Sequence, residues 1–364
     1  MIVQNSGNPN SPIWVIVYEP FLSDETAGTV YSGGHGYTFR KVWEMAGLPE
    51  PYIYVLRPCL GASYDDAIKF SELAIRLSDN NIPFILPTSP ALFKMFCPDL
   101  VSKSQEKAIL KKYSGNLLIS DFLHYPHYII PQYPPDFVGA VWDYHEIQAY
   151  IDYGHVKEEY DYFRLYQSIK PLPARTLVTE PTFDQLMQYL RKLRSTTFIS
   201  TDIETIRPKK DTYYHKLKHP GYPYCVALAG SPWEAISFSY WDYLPHELVQ
   251  IWRELDYLMT NVPQIGQNYY TFDTHYTEAL GFKHCLDKCQ DTLIRHHILW
   301  PALPHTLQFQ TKQYTREPFY KDEGKQWTPK HKKSFMVYNA KDVCVTYEIF
   351  EAQEREFAER PQLI

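Results

Sequence analysis

The sequence predicts an α/β protein made of two domains, and three observations lead to that expectation. Short apolar runs rich in β-branched and aromatic residues alternate with amphipathic stretches at helical spacing. Strands alternating with helices imply a mostly parallel sheet covered on both faces. The chain has 364 residues, 45% of them hydrophobic, which is ample for two buried cores. A Pro-punctuated connector, KPLPAR (170–175), separates two such α/β runs. The expected division is a first domain at 1–168, a linker at 169–175 and a second domain at 176–364.

In the first run, SPIWVIVYEP (11–20) reads as a strand closed by Pro20, and YTFRKVWEMAGL (37–48) as a helix with a Gly near its end. YIYVLRP (52–58) and IPFILP (82–87) are apolar and Pro-bounded, as buried strands are. DDAIKFSELAIRLSDN (65–80) is an amphipathic helix between them. HYIIPQYPP (127–135) is a further strand, and residues 143–169 are a long helix in which Gly154 marks a potential break. In the second run, RTLVTE is a strand and PTFDQLMQYLRKLRS a helix with Thr179 or Glu180 before it. TFISTDIET (197–205) is an apolar strand that turns acidic. PYCVALAG and AISFSYW form a hairpin, PHELVQIWRELDYLMT is a helix, and PQIGQN is a strand entering a loop. A helix in TFDTHYTEALG stops at Gly281, and a long helix, KSFMVYNAKDVCVTYEIFEAQEREFAE, closes the chain.

The net charge of −6 gives no global attraction to nucleic acid, so any such site must be local: a basic patch, or cations that cancel carboxylates. Most of the 31 Tyr are packing residues, and a minority could stack on bases. Of six Cys, only Cys285 and Cys289 are close in sequence, and no second pair completes a zinc-finger spacing. The N-terminus lacks a signal-peptide plan and no apolar run reaches about 18 residues, so a soluble, cytoplasmic protein is expected.

Asp202 and Glu204 sit one residue apart at the end of an apolar strand and therefore point to one face. Asp273 opens a helix. Tyr338 and Asp342 lie four residues apart on the closing helix and share a side. Each signal is weak singly: a solvated strand end, a helix-dipole charge or an exposed helix pair explains it. Clustered among apolar neighbours, such carboxylates would be costly unless protonated or neutralised. Hard divalent cations supply that neutralisation, and all-oxygen sites suit Mg²⁺ or Mn²⁺.

In this order, strand D-x-E, helix-start Asp, then helix Y-x-x-x-D, the chain resembles the DEDD superfamily of 3′→5′ exonucleases in its tyrosine branch. The resemblance is strongest to the proofreading domain of phage-like family A DNA polymerases. GQN (266–268), DTL (291–293), LPHTLQFQTKQYTREPFYKDEGK (303–325) and YNAKDVCVTYEI (338–349) extend it over about residues 176–358. It implies an RNase H-like domain and two Mg²⁺ or Mn²⁺ ions, one activating a water and one stabilising the leaving 3′-oxygen. It further implies that Asp202, Glu204 and Asp342 hold the first ion. Asp202 also reaches the second ion, and Asp273 acts on it directly or through water, while Tyr338 orients the attacking water. Thr205, Asn268 and Phe272 are the implied substrate contacts. The gap from Asn268 to Asp273 is one residue longer than in the bacterial polymerase pattern, which puts the role of Asn268 in doubt. From charge alone, Lys209 and Lys210 in RPKK and Lys332 and Lys333 in KHKK are candidates to grip a strand, as is KLK (216–218).

The first run resembles uracil-DNA glycosylases of the family-4 type over about residues 11–168. The match lies in VIVYEPFLSDETAGTVYSGGHGYTFRKVWEMAGL, FILPTSPALFKMF and KKYSGNLLISDFLHYPHYIIPQYPP. The departures fall on the chemistry. Pro134, in Gln132-Tyr133-Pro134-Pro135, stands where the family has its catalytic His. Tyr18-Glu19-Pro20-Phe21 lacks the family's base-gripping pattern. The expectation is a glycosylase fold without glycosylase activity.

The resemblances together imply a proofreading-type exonuclease that releases 5′-mononucleotides from single-stranded DNA 3′ ends. It would serve viral or phage replication in a bacterial host's cytoplasm. Family A polymerases continue well past the closing helix, so either the polymerase is a separate chain or this sequence is part of a longer one. The alternatives are a 3′→5′ exoribonuclease, a non-catalytic DNA-binding accessory or scaffold, and an active glycosylase–exonuclease fusion.

Overall fold

The computed structural model describes residues 2–100, 109–134, 144–206, 222–322 and 332–363. They form two compact units, Met1–Leu172 and Pro173–Ile364, each with its own six-stranded mixed sheet. Among the described residues no helix is long and apolar enough to cross a membrane.

In the first unit the strands are β1 (Ser6–Gly7), β2 (Ile13–Val17), β3 (Tyr52–Val55), β4 (Phe84–Pro87), β5 (Leu118–Ser120) and β6 (His127–Ile129). They lie in the order β1-β3-β2-β4-β6-β5. The central four are parallel, and β1 and β5 pair antiparallel at the edges. Every residue of β2 and β4 is buried, which is why both read as unbroken apolar runs rather than alternating ones. The edge strands were not expected. At two and three residues they are too short to carry a periodic signal.

Helix Asp66–Asp79 starts where the Asp65 carboxylate accepts the Ala67 and Ile68 amides. Helix Tyr144–Tyr166 runs unbroken through Gly154, against the expected interruption. One Gly in a helix costs only about 1 kcal/mol. The face formed by Ala149, Tyr153 and Val156 is buried on Phe39 and Trp43, whose rings lie 5.9 and 5.0 Å from that of Tyr153. That packing outweighs the propensity cost.

In the second unit the strands are β7 (Thr176–Thr179), β8 (Ile199–Ile206), β9 (Tyr222–Ser231), β10 (Glu234–Ser239), β11 (Gln264–Gly266) and β12 (Gln290–Asp291). Their order is β12-β11-β8-β9-β10-β7. β8, β9 and β10 form an antiparallel meander. β11 joins β8 in parallel, β12 joins β11 in parallel, and β7 lies parallel to β10. The β9–β10 pairing is the hairpin expected of PYCVALAG and AISFSYW, and with β8 it makes this sheet mixed.

Helices Phe183–Leu193 and Pro245–Asn261 cover one face through Leu186, Leu190, Ile251, Leu255 and Leu258, packed on Ile203, Val226, Leu228 and Ile236. Helix Phe183–Leu193 is capped by Thr182, not by Thr179 or Glu180. The Thr182 hydroxyl accepts the Gln185 amide, and the Gln185 side chain accepts the Thr182 amide. The closing helix Lys332–Glu359 covers the opposite face. Ala340, Val343 and Cys344 pack there on Ala227, Ala229 and Ala235, and small side chains on both surfaces let the helix approach the sheet closely.

Candidate active site

The site lies between β8 and the closing helix. Strand alternation sends Ile203 into the core on one face of the sheet and sends Asp202 and Glu204 to the other, where the closing helix runs. The helix brings Asp342 to meet them. Asp202 and Glu204 are half-buried and Asp342 is buried, and one oxygen of each lies within 4.8 Å of the others. Just after Glu204 the β8–β9 register shifts, so the strand departs from regular pairing at the site.

Crowded carboxylates in a poorly hydrated place resist ionisation. Burial, then the charge of Asp342, pushes Asp202 up to about 7. Burial pushes Asp342 up to about 6, opposed by the hydroxyls of Tyr320 and Tyr338 and by the charge of Lys321. Burial, then the charges of Asp202 and Asp342, holds Glu204 well above the carboxylate range. The donor set is all oxygen, and the charges of Lys321 and Lys341 do not prevent the upward shifts. Those residues fit a hard divalent cation, whose charge would remove the repulsion. Tyr338 is buried one turn before Asp342 on the closing helix. Burial, then the neighbouring carboxylates, pushes its phenol far above the ordinary range.

Asp273 is buried at the start of helix Asp273–Ala279, and its Oδ1 accepts the Ile203 amide at 3.0 Å. It stands next to the cluster and outside the 4.8 Å grouping. Burial, then the charge of Asp202, raises its pKa. Asn268 adopts a left-handed backbone with φ of 61°. Its carbonyl accepts the Thr271 and Phe272 amides, its side chain accepts the Thr271 hydroxyl, and its amide donates to Asp291. It is thus the pivot of the turn into the helix. Phe272 packs on Tyr276 at 5.1 Å between ring centroids, and Thr205 pairs with Pro223 just past the register shift.

Lys332 is ion-paired with Asp242 and, at 3.5 Å, with Glu180, so its charge is already engaged; Lys333 is exposed. Lys209, Lys210 and the KLK segment lie outside the described residues.

Three residues at the site were missed from sequence. Tyr320 donates its hydroxyl to Asp342 Oδ1 at 2.6 Å. Asn339 donates from Nδ2 to Asp202 Oδ2 at 2.6 Å. Lys321 supplies the positive charge felt by Asp202, Glu204 and Asp342. Asn339 was findable, because three residues separate it from Asp342 on a helix. Tyr320 and Lys321 precede the helix in an irregular segment, and no periodicity points them inward.

In the first unit the loop after β2 is internally engaged. Glu19 pairs with Arg57 at 2.7 Å, Arg57 with Asp66 at 2.6 Å, and the Tyr18 hydroxyl donates to Asp66 at 2.7 Å. After β6, the buried Gln132 donates its amide to the Pro87 carbonyl at the end of β4, and Pro134 is half-buried.

No known protein-family profile matches the chain, and no curated protein matches it. Among solved structures it is similar to the catalytic core of RRP6 from Trypanosoma brucei. Identity there is 15% and the TM-score 0.38, over 53% of this chain and 52% of that one. It is also similar to the POL domain of Pol1 from M. smegmatis, at 11% identity and a TM-score of 0.38, over 52% of this chain and 28% of that one. Escherichia coli RNase D, described as an exoribonuclease involved in structured RNA processing, matches at 15% identity and a TM-score of 0.36, over 52% of this chain and 49% of that one. The chain spans about half the length of the RRP6 core.

Proposed function

We propose that the chain is a divalent-cation-dependent 3′→5′ exonuclease of the DEDD type. It hydrolyses single-stranded DNA from its 3′ end and releases 5′-mononucleotides. The observation that carries this reading is the convergence of Asp202, Glu204 and Asp342, delivered by a strand and by a helix more than a hundred residues later, with oxygens within 4.8 Å. The strand order β12-β11-β8-β9-β10, with its antiparallel meander, supports an RNase H-like architecture for the unit.

Asp202, Glu204 and Asp342 would hold one cation, and Asp273 with Asp202 a second. When bound, the cations supply the positive charge that phosphodiester hydrolysis needs on its non-bridging and leaving oxygens. The protein's own part is arrangement. Tyr338 keeps its proton, because its phenol is held far above the ordinary range. Its proposed part is to orient the attacking water through its hydroxyl. Lys321 supplies a positive charge beside a site that must admit a polyanion. A polymerase on a separate chain, handing over mismatched ends, is the proposed partner. The first unit is proposed as a glycosylase-like scaffold without base excision, because Pro134 has no group to stabilise a departing base and Glu19 is consumed by Arg57.

The test is one gel with 5′-labelled single-stranded DNA, the same strand as RNA, and a uracil-containing strand, each with Mg²⁺ or EDTA. A 3′-end ladder on DNA in Mg²⁺ alone is expected. Cleavage that persists in EDTA sinks the cation mechanism, and a ladder on RNA only reassigns the substrate. Alkali-labile sites at uracil would restore a glycosylase role.

A further inference from the structure

The aspartates of the cluster do not present their carboxylates freely. Tyr320 is buried, and its hydroxyl donates to Oδ1 of Asp342 at 2.6 Å. Its ring is fixed between the Tyr338 ring, 5.8 Å away, and the Lys341 ammonium, 4.7 Å from the ring centre. Asn339 is fully buried and donates from Nδ2 to Oδ2 of Asp202 at 2.6 Å. Its own Oδ1 accepts the Ser237 hydroxyl at 2.8 Å, and an ionised carboxylate only accepts, so the orientation of this amide is set by both neighbours. Each aspartate thus has one oxygen committed to a buried donor.

We propose that Tyr320 and Asn339 are positioning residues that decide which divalent cation the cluster accepts. By holding one oxygen of Asp342 and one of Asp202, they leave each aspartate a single oxygen to offer, and that of Asp202 would serve both cations. Small cations bound at short, near-octahedral distances use carboxylates one oxygen at a time, as Mg²⁺ does. Ca²⁺ takes six to eight ligands and readily engages both oxygens of one carboxylate. Two-oxygen binding at Asp342 or Asp202 would require breaking a buried hydrogen bond, which is costly. The donors therefore work against Ca²⁺ and spare Mn²⁺ and Mg²⁺. The inference rests on the cluster being a divalent-cation site, as proposed above.

The test measures binding and needs no turnover. The full chain, Tyr320→Phe, Asn339→Ala and the pair Asp202→Ala with Glu204→Ala are titrated calorimetrically with Mn²⁺ and with Ca²⁺, with Mn²⁺ binding followed in parallel by electron paramagnetic resonance. In the native chain Mn²⁺ should bind and the double-alanine variant should lose it. That loss tests the site itself. Tyr320→Phe should then raise the ratio of Ca²⁺ to Mn²⁺ affinity roughly tenfold to a hundredfold, on the scale of one hydrogen bond to a charged group. Asn339→Ala should move the ratio the same way. If Mn²⁺ binding depends on Asp202 and Glu204 but the ratio is unchanged in both variants, the inference fails and the cation site stands. If both affinities fall together, the donors only support the fold and the inference also fails. If the native chain binds no Mn²⁺, the functional reading fails first.

Discussion

Tyr338 and Asp342 occupy one side of one helix, yet their chemistry predicts unequal losses. Asp342→Ala removes a ligand carboxylate and should abolish detectable cleavage. Tyr338→Phe removes only a neutral hydroxyl and should cost roughly 10²–10⁴-fold in turnover, the usual worth of a positioned proton-bridging group. Single-turnover rates on a short labelled strand compare the two, and equal losses would refute the assignment. Asn268 offers a second contrast. Its φ of 61° is one that Gly adopts without strain, so Asn268→Gly should keep both fold and cleavage if the residue is a turn pivot. A large rise in KM for that variant would return Asn268 to the substrate contacts implied by resemblance. The carboxylates of this site were legible in sequence, because an acidic pair ending an apolar strand and a Tyr–Asp pair on one helix face are local patterns. The ion pairs of Lys332 were not legible for the complementary reason. Its partners Asp242 and Glu180 are far away in sequence, and nothing local shows a charge already engaged.

At the scale of elements, the site depends on how closely the closing helix approaches the sheet. Ala340 is fully buried against Ala227, Ala229 and Ala235. Ala340→Leu should overpack this seam, cost about 1–3 kcal/mol in denaturant unfolding and lift Asp342 from its partners. Mn²⁺ affinity should therefore fall in a variant that still folds; retained affinity would show that the seam does not set the site. Thr182→Ala removes a reciprocal cap on the opposite face of the sheet and should cost about 1 kcal/mol with cation binding unchanged. Long elements such as Pro245–Asn261 and Lys332–Glu359 announced themselves by their length and spacing. The two- and three-residue edge strands did not, since they exist only because a neighbouring strand offers an open row of backbone groups.

For the whole molecule, the cluster makes stability depend on pH. The folded pKa of Asp202, about 7, and of Asp342, about 6, both lie above the ordinary value of 3.8. Between those limits the folded chain holds more protons than the unfolded one, so stability falls as pH rises. In the cation-free protein the cluster's contribution should be larger near pH 5 than near pH 8, with the loss running through the folded values and showing as a few degrees in Tm. Asp202→Asn should flatten the profile, and saturating Mg²⁺ should recover stability mainly at the alkaline end. Thermal scans across pH with and without EDTA measure this, and a cation-free Asp202→Asn profile that runs parallel to the native one would contradict the crowding of the carboxylates.

The sequence by itself determined the α/β class, the long helices, the acidic strand end and the Tyr–Asp face of the closing helix. Each of these is written in a period of two or of 3.6 residues, or in the chemistry of neighbours along the chain. The resemblance already grouped Asp202, Glu204 and Asp342, whereas the tertiary structure alone decided that Asp273 is held by the Ile203 amide and that Tyr320, Asn339 and Lys321 surround the group. Those relations join residues tens to more than a hundred positions apart. They are fixed by strand order and by the close approach of a small-residue helix face to the sheet, and neither leaves a repeating mark in the sequence.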